Sequence, residues 1–462
     1  MEGTKRVAHF IAETEYRSIP DEGIRIAKAA ILDCLGVTIA GSREPAIKIM
    51  CEQVKQMGAM GEAGVVGGGF KTTADLSAWI NGTASHALDY DDTFPNVVGY
   101  NFHPTVPILS AVFALGEKLN ASGEEVLTAY IVGIEVESRI GSAIGFHSSK
   151  MGWHPTPVLG TIGAAAASAH IMRLNMWQTQ MALGIAGSLA GGLVQNFGTM
   201  TKPLHAGHAA KNGVWAAFLA QKGFTANESI MEGDSGFCSV FSGGEVKGLE
   251  NSEGDLGETW HIVSPGMSLK PYPCCRSTHS SIDASLHLRN VVGIDTGQVV
   301  KIICKTSPQH LKLARFHRPK HAYEGKFSIP YCIATALSRG GVLLEDFTDK
   351  KLADPETQAL LSKVEYQYPE EYTKDPMSLA QEVVVQLANG SEYSCKVDAP
   401  KGDPSNPMTE EELSAKFMDC ARRSLPQNAI EEIMEMINHL ESLDHLSKFM
   451  EIITFKTLCS GG

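Results

Sequence analysis

The chain has 462 residues, which is more than one hydrophobic core usually organises, so we expect two domains. Hydrophobic residues make up 43% of it and charged residues 20%, a composition that excludes an intrinsically disordered chain. The net charge of −13, without any run of lysine and arginine, argues against nucleic acid as a partner.

The sequence gives no sign of export or of a membrane span. Lys5 and Arg6 are not followed by an apolar region, so we expect no signal peptide. The most apolar stretches, 158–172 and 181–194, are short and contain glycine, which is typical of buried helices. Ten cysteines without a CxxC pair indicate reduced thiols. We therefore expect a cytoplasmic protein that has no membrane partner.

Helical patterns follow one another from the N-terminus to about residue 265. Pro20-Asp21-Glu22 predicts a helix start, because proline and acidic side chains are favoured in the first turn. Glycines among alanines, as in 163–167, predict close contact between helices. Further helices are predicted at 74–88, 105–119, 122–141 and 206–223.

The pattern changes near residue 266 to a mixture of strands and helices. Gln298–Thr306 is short and rich in β-branched residues, which predicts a strand. Glu382–Leu387 and Glu392–Val397 flank Asn389-Gly390, the strongest short signal for a β-hairpin. A further strand is predicted at 363–368, and helices are predicted at 278–291 and 328–339.

Helical patterns return after Pro404 and Pro407. Thr409–Glu412 has the pattern of a capping box and predicts a helix to about residue 424, followed by another at 427–442. We therefore predict a mainly α fold class with a second α+β domain. A large all-helical domain is built from both chain ends, residues 1–265 and 405–462, and a smaller α+β lid domain is inserted at residues 266–404.

Several polar clusters interrupt the apolar helical patterns, and polar groups are costly to bury without partners. The first cluster, His86–Thr93, carries acids at 89, 91 and 92, at the end of a predicted helix. Acids so close together raise one another's pKa unless they are paired or solvated. An exposed acidic helix end explains the same residues, so this cluster alone does not establish a site.

Two histidines share one local context. His103 and His154 each precede a proline and a threonine at the start of a predicted helix. A side chain in that position lies near the positive end of the helix, where anions bind. One such histidine is commonly structural, but two of them favour a shared site.

Basic residues form two further clusters. Lys202 and His205 flank a helix start and could hold a carboxylate, although a solvated lysine beside a helix cap is equally compatible with the sequence. Lys270, Arg276 and His279 lie where the pattern changes, and domain junctions are favoured positions for ligand clefts. A solvated basic linker explains these three residues as well.

The common motifs of cofactor-binding and hydrolytic enzymes are missing. The sequence has no Walker loop, no Gly-x-Gly-x-x-Gly, no His-Glu-x-x-His and no Gly-x-Ser-x-Gly. The chemistry would then depend on His, Lys, Asp and Tyr side chains that move a proton next to a carboxylate. Tyr331, at the start of an apolar helix, is a candidate for this chemistry, but a core position explains it too.

Taken in chain order, these clusters resemble the motifs of the MmgE/PrpD family, which includes 2-methylcitrate dehydratases, cis-aconitate decarboxylases and iminodisuccinate epimerases. The motifs are Leu32–Gly36 with Ala40-Gly41, His86–Thr93, His103-Pro104, Gly152–Pro155, Lys202–Ala210, Tyr272–His279 and Lys326–Tyr331. The resemblance covers essentially the whole chain. It implies a large all-helical domain with an α+β lid, a homodimer, and activity without a metal or a cofactor.

The resemblance also implies a pocket between the domains. Its catalytic candidates are His103, His154, Asp89 and Tyr331, with one of the two histidines moving the proton. Its substrate-binding candidates are Thr93, Lys202, His205, His279, Lys270 and Arg276, and no metal ligand is expected. Two positions differ from many members of the family. Phe94 replaces a histidine, and His208 replaces an arginine or asparagine, which predicts weaker carboxylate binding at that edge.

We therefore expect a lyase that acts on a small di- or tricarboxylate by proton transfer α to a carboxylate. The first hypothesis is dehydration of a 2-methylcitrate-like acid. The alternatives are decarboxylation of cis-aconitate to itaconate and, third, epimerisation of an iminodisuccinate-like acid. A carboxylate-binding scaffold without activity is the non-enzymatic alternative. The three reactions share the same proton transfer, so the motifs separate them poorly.

Overall fold

The computed structural model describes residues 3–94, 102–246, 256–375 and 378–455. The chain forms two compact units. Met1–Met267 with Thr409–Gly462 make up the first, which we call the helical unit, and Ser268–Met408 make up the second, the mixed unit. The predicted fold class, mainly α with a smaller α+β part, is confirmed. Among the described residues, no helix has both the length and the apolarity needed to cross a bilayer.

The helices of the described residues are, in chain order, α1 (Gly3–Glu13), α2 (Asp21–Gly41), α3 (Pro45–Met57), α4 (Ala74–His86), α5 (Thr105–Leu119), α6 (Gly123–Ile144), α7 (His147–Lys150), α8 (Pro155–Ile171), α9 (Met176–Leu189), α10 (Thr201–Gln221), α11 (Phe237–Ser242), α12 (His279–Asn290), α13 (His310–Leu313), α14 (Ala322–Gly325), α15 (Ile329–Arg339), α16 (Asp349–Leu352), α17 (Pro355–Leu361), α18 (Glu370–Thr373), α19 (Glu410–Ala421), α20 (Gln427–Asn438) and α21 (Ser447–Ile453). The strands are β1 (Ala63–Gly64), β2 (Lys71–Thr72), β3 (Val299–Lys305), β4 (Val364–Gln367), β5 (Gln381–Leu387) and β6 (Glu392–Val397).

Helices α1 to α11 and α19 to α21 belong to the helical unit. Their starts follow the sequence signals: the side chain of Ser122 caps α6 by accepting from the backbone N–H of Glu125, and Thr409 caps α19 in the same way. Helix α10 begins at Thr201, so the predicted start at residue 206 was wrong. Pro203 lies in the first turn, where its missing N–H sacrifices no helical hydrogen bond.

Glycines let α10 lie close to two neighbours. A Cβ on Gly207 would be 2.1 Å from the backbone oxygen of Trp79 in α4, and a Cβ on Gly213 would be 2.6 Å from the backbone carbon of Ala164 in α8. The predicted close contact near residue 163 is also confirmed, since a Cβ on Gly163 would be 2.5 Å from Oε2 of Glu137 in α6. These contacts hold α10 close against α4 and α8.

We expect the substitution Gly207→Ala to destabilise the protein by about 1–3 kcal/mol, because the added methyl group meets backbone that cannot move independently. Gly23→Ala in α2 is the matched control, since its Cβ would be 3.4 Å from the nearest atom, an ordinary contact. Urea unfolding of both variants measures the difference. Equal stability of the two variants would contradict the close packing of α10 on α4.

The mixed unit contains a four-stranded sheet with strand order β4-β3-β5-β6. β3 runs parallel to β4 and antiparallel to β5, and β5 and β6 form an antiparallel hairpin with Gln386 opposite Glu392. The hairpin predicted from Asn389-Gly390 is therefore confirmed, and Gly390 adopts the left-handed φ of 84° that its turn requires. α12 packs on β5 and β6, and α15 packs on α12.

Candidate active site

Five polar side chains of the helical unit lie at the ends of its helices. His86 is the last residue of α4, and Asp89 follows it in the connecting segment. His103 precedes α5, His154 is the N-cap of α8, and Lys202 lies in the first turn of α10. Helix starts carry unpaired backbone N–H groups, so the N-terminal starts of α8 and α10 favour negative charge nearby.

Lys202 and Asp89 form a buried ion pair. Nζ of Lys202 donates to Oδ1 of Asp89 at 2.9 Å, and the two side chains are 4% and 6% exposed. Asp89 has a φ of 52°, in the left-handed region that non-glycine residues seldom occupy. The Phe197 ring lies 5.2 Å from the same Nζ. The ammonium group therefore sits against an aromatic wall and a carboxylate, out of bulk water.

Asp91 contacts two imidazoles through a single oxygen. Its Oδ2 is 2.9 Å from Nδ1 of His86 and 2.7 Å from Nδ1 of His103. Because an ionised carboxylate only accepts, His86 presents its Nδ1–H to it, and a protonated His103 ring forms an ion pair with the same oxygen. Nε2 of His103 lies 3.9 Å from Oδ1 of Asp89. Asp91 thus sets the orientation of His103 and turns its second nitrogen toward the Asp89–Lys202 pair.

The charges of this group differ strongly from those of free side chains. Burial alone would raise the pKa of Asp91. The charges of His86 and His103 outweigh burial and hold that pKa well below its usual range. Burial lowers the pKa of His86 to about 4, although Asp91 opposes the shift. At neutral pH, Asp91 is therefore ionised and His86 is neutral.

His154 faces a second histidine. Its Nδ1 lies 3.0 Å from Nδ1 of His205, and its ring meets the Phe197 ring edge to face at a centroid distance of 4.8 Å. Burial and then the charge of Lys202 lower the pKa of His154 well below its usual range. Burial, with a contribution from His86, lowers the pKa of His205 to about 4. Both rings are neutral at neutral pH, and one Nδ1 donates to the other.

A second layer of polar groups lies beneath this cluster. Oγ1 of Thr105 donates to Oδ2 of Asp92 at 2.8 Å, and it is 2.7 Å from Oη of Tyr130. Burial, followed by the charge of Asp91, raises the pKa of Asp92 well above its usual range. Burial, with a contribution from Asp92, also raises the pKa of Glu137 well above its usual range. Asp92 is therefore a neutral acid that anchors the segment ending at Thr93.

We expect the substitution Asp92→Asn to change how stability depends on pH. The unfolded chain ionises Asp92 near pH 4 while the folded chain keeps it protonated, so this residue lowers stability as pH rises. Asparagine does not ionise, so the variant does not lose stability in this way. Its free energy of unfolding relative to the unsubstituted protein should rise by about 1.4 kcal/mol per pH unit, up to the pKa of Asp92 in the folded chain. Urea unfolding across the acidic-to-neutral range measures the slope. Parallel curves for the two proteins would contradict a neutral Asp92.

The described residues also contain one set of potential metal donors. Single donor atoms of His86, Asp89, Asp91 and His103 lie within 4.8 Å of one another. The contacts inside this set join donors to acceptors at hydrogen-bond distance, and Lys202 already neutralises Asp89. These contacts support a hydrogen-bonded charge network rather than a metal centre.

Activity should therefore persist after treatment with EDTA and dialysis against metal-free buffer. A loss of activity that Zn²⁺ or Mn²⁺ restores, together with stoichiometric metal by elemental analysis, would assign the four residues to a metal centre instead.

The structure gives a definite place to each remaining predicted site residue. Thr93 is buried directly after Asp92, and Phe94, which replaces the histidine of many family members, is buried next to it. In the mixed unit, Nε2 of His279 is 3.2 Å from the backbone oxygen of Cys274, and Lys270 is buried. Arg276 donates to the backbone oxygen of Lys401 and pairs with Asp403, both at 3.2 Å.

Tyr331 belongs to the hydrophobic core of the mixed unit. Its side chain is fully buried, its hydroxyl donates to the backbone oxygen of Asp346, and its ring packs edge to face on Phe347. This placement supports the core interpretation of Tyr331 rather than the catalytic one. Roles in substrate binding for Lys270, Arg276 and His279 stay predictions.

Three residues that complete the cluster, His86, Asp91 and Phe197, were not predicted as site residues. His86 and Asp91 were part of a quoted motif, but they had no role, and Phe197 was not considered. The sequence carries a signal for the first two, since His86 and Asp91 lie five residues apart in the same motif as Asp89. No local pattern indicates Phe197.

Two family models match the chain. The MmgE/PrpD N-terminal domain matches residues 5–250, and the MmgE/PrpD C-terminal domain matches residues 272–442. The cis-aconitate decarboxylase of Homo sapiens is 29% identical over 460 residues, which cover 96% of this chain and 93% of that protein. The Mus musculus protein of the same name is 27% identical over 97% of this chain and 93% of its own length. The Aspergillus terreus protein of that name is 28% identical, over 97% and 95% respectively. The chain therefore belongs to the MmgE/PrpD family.

Proposed function

We propose that this protein is a carboxy-lyase that decarboxylates cis-aconitate, or a closely similar unsaturated tricarboxylate, to itaconate or its analogue. The observation that carries the proposal is the similarity, along nearly the full length of both chains, to three proteins named cis-aconitate decarboxylase. Membership of the MmgE/PrpD family supports the broader prediction of a lyase of this type.

This proposal changes the order of the hypotheses drawn from the motifs. They favour dehydration of 2-methylcitrate first and decarboxylation second, but they depend on a proton transfer that both reactions share. The names of the relatives favour decarboxylation instead. Among the residues of the helical unit that the structure describes, no contact specifically supports dehydration or epimerisation.

The Lys202 ammonium group is the group best placed to hold a substrate carboxylate. It is 4% exposed and has three N–H donors, one of which is directed at Asp89. It also lies in the first turn of α10, where backbone N–H groups add positive potential. A charge-assisted hydrogen bond in such a poorly hydrated position is stronger than one at the surface.

The proposed reaction balances without an added cofactor. The bond between the CH2 carbon and its carboxylate breaks, CO2 leaves, and the released electron pair forms the new terminal C=C bond. The electrons of the former double bond move to the carbon next to a remaining carboxylate, and that carbon takes up one proton. Negative charge that develops on this carboxylate would be stabilised by Lys202.

We assign delivery of that proton to His103. Its Nδ1 is held 2.7 Å from ionised Asp91, which balances the positive charge of a protonated ring, and its Nε2 is directed to the side of Lys202 and Asp89. His154 is less suited because burial and Lys202 lower its pKa well below the usual range, so its ring is neutral at neutral pH and is a poor acid. A general acid needs a pKa near the working pH.

A panel of candidate substrates tests the proposal. Purified protein is incubated separately with cis-aconitate, citrate, 2-methylcitrate and iminodisuccinate, and the reactions are followed by proton NMR with a parallel measurement of CO2. The proposal requires itaconate and CO2 from cis-aconitate and no change in the other acids. Loss of water from 2-methylcitrate without CO2 would restore the dehydratase hypothesis, and an inert panel would favour a binding scaffold.

A further inference from the structure

We propose that Lys416, in the C-terminal part of the helical unit, is a positioning residue for the reaction proposed above. Together with Asp33 it fixes the peptide between Asp89 and Asp91, and thereby the two carboxylates that orient Lys202 and His103. The inference rests on the proposed function for its kinetic consequence. Its structural part stands on contacts within the helical unit alone.

Lys416 reaches the active-site segment directly, although it is more than 300 residues away along the chain. Its Nζ donates to the backbone oxygen of Tyr90 at 2.8 Å and lies 3.9 Å from the centre of the Tyr90 ring. The same Nζ is 2.6 Å from Oδ1 of Asp33, and the two side chains are 3% and 0% exposed. This is a buried three-way contact between α2, α19 and the segment that follows α4.

The sequence of α2 explains why α19 lies there. Asp33 and Gly36 are three residues apart and share one face of the helix. A Cβ on Gly36 would be 2.9 Å from Cδ2 of Phe417 and 3.3 Å from its Cα. Gly36 therefore admits Phe417, and Asp33 meets the neighbouring Lys416. The motif Leu32–Gly36, which carries part of the family resemblance, thus has a structural use that connects it to the site.

The segment that Lys416 holds needs external support. Asp89 occupies the left-handed region with a φ of 52°, a conformation that costs an aspartate free energy unless its surroundings enforce it. At the other end, Asp92 is anchored by Thr105. The Tyr90 carbonyl lies between these two points, in the peptide that leads to Asp91. A donor at this carbonyl fixes the directions of Asp89 and Asp91 together.

Stability alone does not account for such a pair. Removing one partner from a buried ion pair is strongly destabilising, but replacing both partners by neutral groups of similar size is often nearly neutral. Variants can therefore separate folding from positioning. Lys416→Met removes both the positive charge and the N–H donor, and it leaves Asp33 as an unpaired buried charge. The double variant Asp33→Asn/Lys416→Met removes that unpaired charge but still lacks the donor to Tyr90. Lys416→Arg keeps both the charge and the donor.

The experiment compares these three variants with Lys448→Met, a control in which an exposed lysine of α21 loses its pairing with Glu432. For each, kcat and KM for cis-aconitate and the melting temperature are measured. We expect the double variant to recover most of the melting temperature that Lys416→Met loses, while its kcat remains lower by about 10²-fold, as a misplacement of about 1 Å can cause. Lys416→Arg should recover part of kcat, and Lys448→Met should change neither quantity.

A second readout does not depend on turnover. In protein labelled at histidine 13Cε1, the signals of His86 and His103, assigned by loss in His86→Gln and His103→Gln, should shift in the double variant, whereas the signal of exposed His445 should not. Unmoved His86 and His103 signals, or a kcat that returns with the melting temperature, would reduce Lys416 to a structural role and overturn the inference. If the unsubstituted protein leaves every acid of the panel unchanged, the proposed function fails, and the histidine signals still decide the placement by Lys416.

Discussion

Replacing His103 by glutamine should lower kcat for cis-aconitate by about 10²–10⁴-fold, the usual loss when a general acid is removed. Glutamine can keep a hydrogen bond to Asp91 but cannot deliver a proton to the carbon of the former double bond that lies next to a remaining carboxylate. KM should change far less, because Lys202 rather than His103 holds the substrate carboxylate. Steady-state kinetics that follow CO2 release separate the two constants.

Two further variants make this result specific. His445→Gln, which removes an exposed ring whose Nδ1 lies 3.3 Å from the backbone oxygen of Asn120, should leave kcat unchanged. His154→Gln should weaken activity less than His103→Gln, because His154 is neutral and serves as a wall of the site. If His103→Gln kept its kcat while His154→Gln lost it, delivery of the proton would belong to His154.

The substitution Lys202→Ala should raise KM by about 10-fold or more, as expected when a charge-assisted contact of roughly 1.5–3 kcal/mol is lost. kcat should fall as well, because the same ammonium group stabilises the developing charge. The variant also leaves Asp89 without its buried partner, so the melting temperature is measured alongside the kinetics.

Lys211→Ala is the matched control for Lys202. Lys211 lies on the same helix, α10, and its ammonium group is 5.1 Å from the centre of the Trp79 ring rather than in the acidic cluster. Its removal should leave KM unchanged. Kinetics of Lys202→Ala that equal those of the control would exclude Lys202 from substrate binding.

The elements that the sequence predicts well are those fixed by local chemistry. Asn389-Gly390 determines its hairpin, and the side chain of Thr409 caps its helix, because each signal acts within a few residues. The start of α10 was misplaced for the opposite reason. Lys202 and Pro203 resemble a loop, and the contact that makes them helical, through Gly207 to Trp79, comes from a distant part of the chain.

The same distinction applies to the site. The motifs indicate Asp89, His103, His154 and Lys202, and the structure brings these four residues into one cluster of the helical unit. They do not indicate that Asp91 binds two histidines or that Lys416 holds Tyr90, since both depend on how helices pack. Nor do they separate Arg276, which contacts Lys401 and Asp403, from a residue free to bind a ligand.

Isotope labels on the substrate and the solvent follow both the CO2 that leaves and the proton that His103 delivers. cis-Aconitate labelled with 13C in the carboxylate of its CH2 arm is incubated with the protein in D2O. We expect one 13CO2 and one deuterium per itaconate, with the deuterium on the saturated carbon next to a carboxylate, and we expect the rates of both to fall together in His103→Gln. Itaconate without deuterium, or deuterium entering unreacted cis-aconitate without release of 13CO2, would contradict a decarboxylation completed by His103.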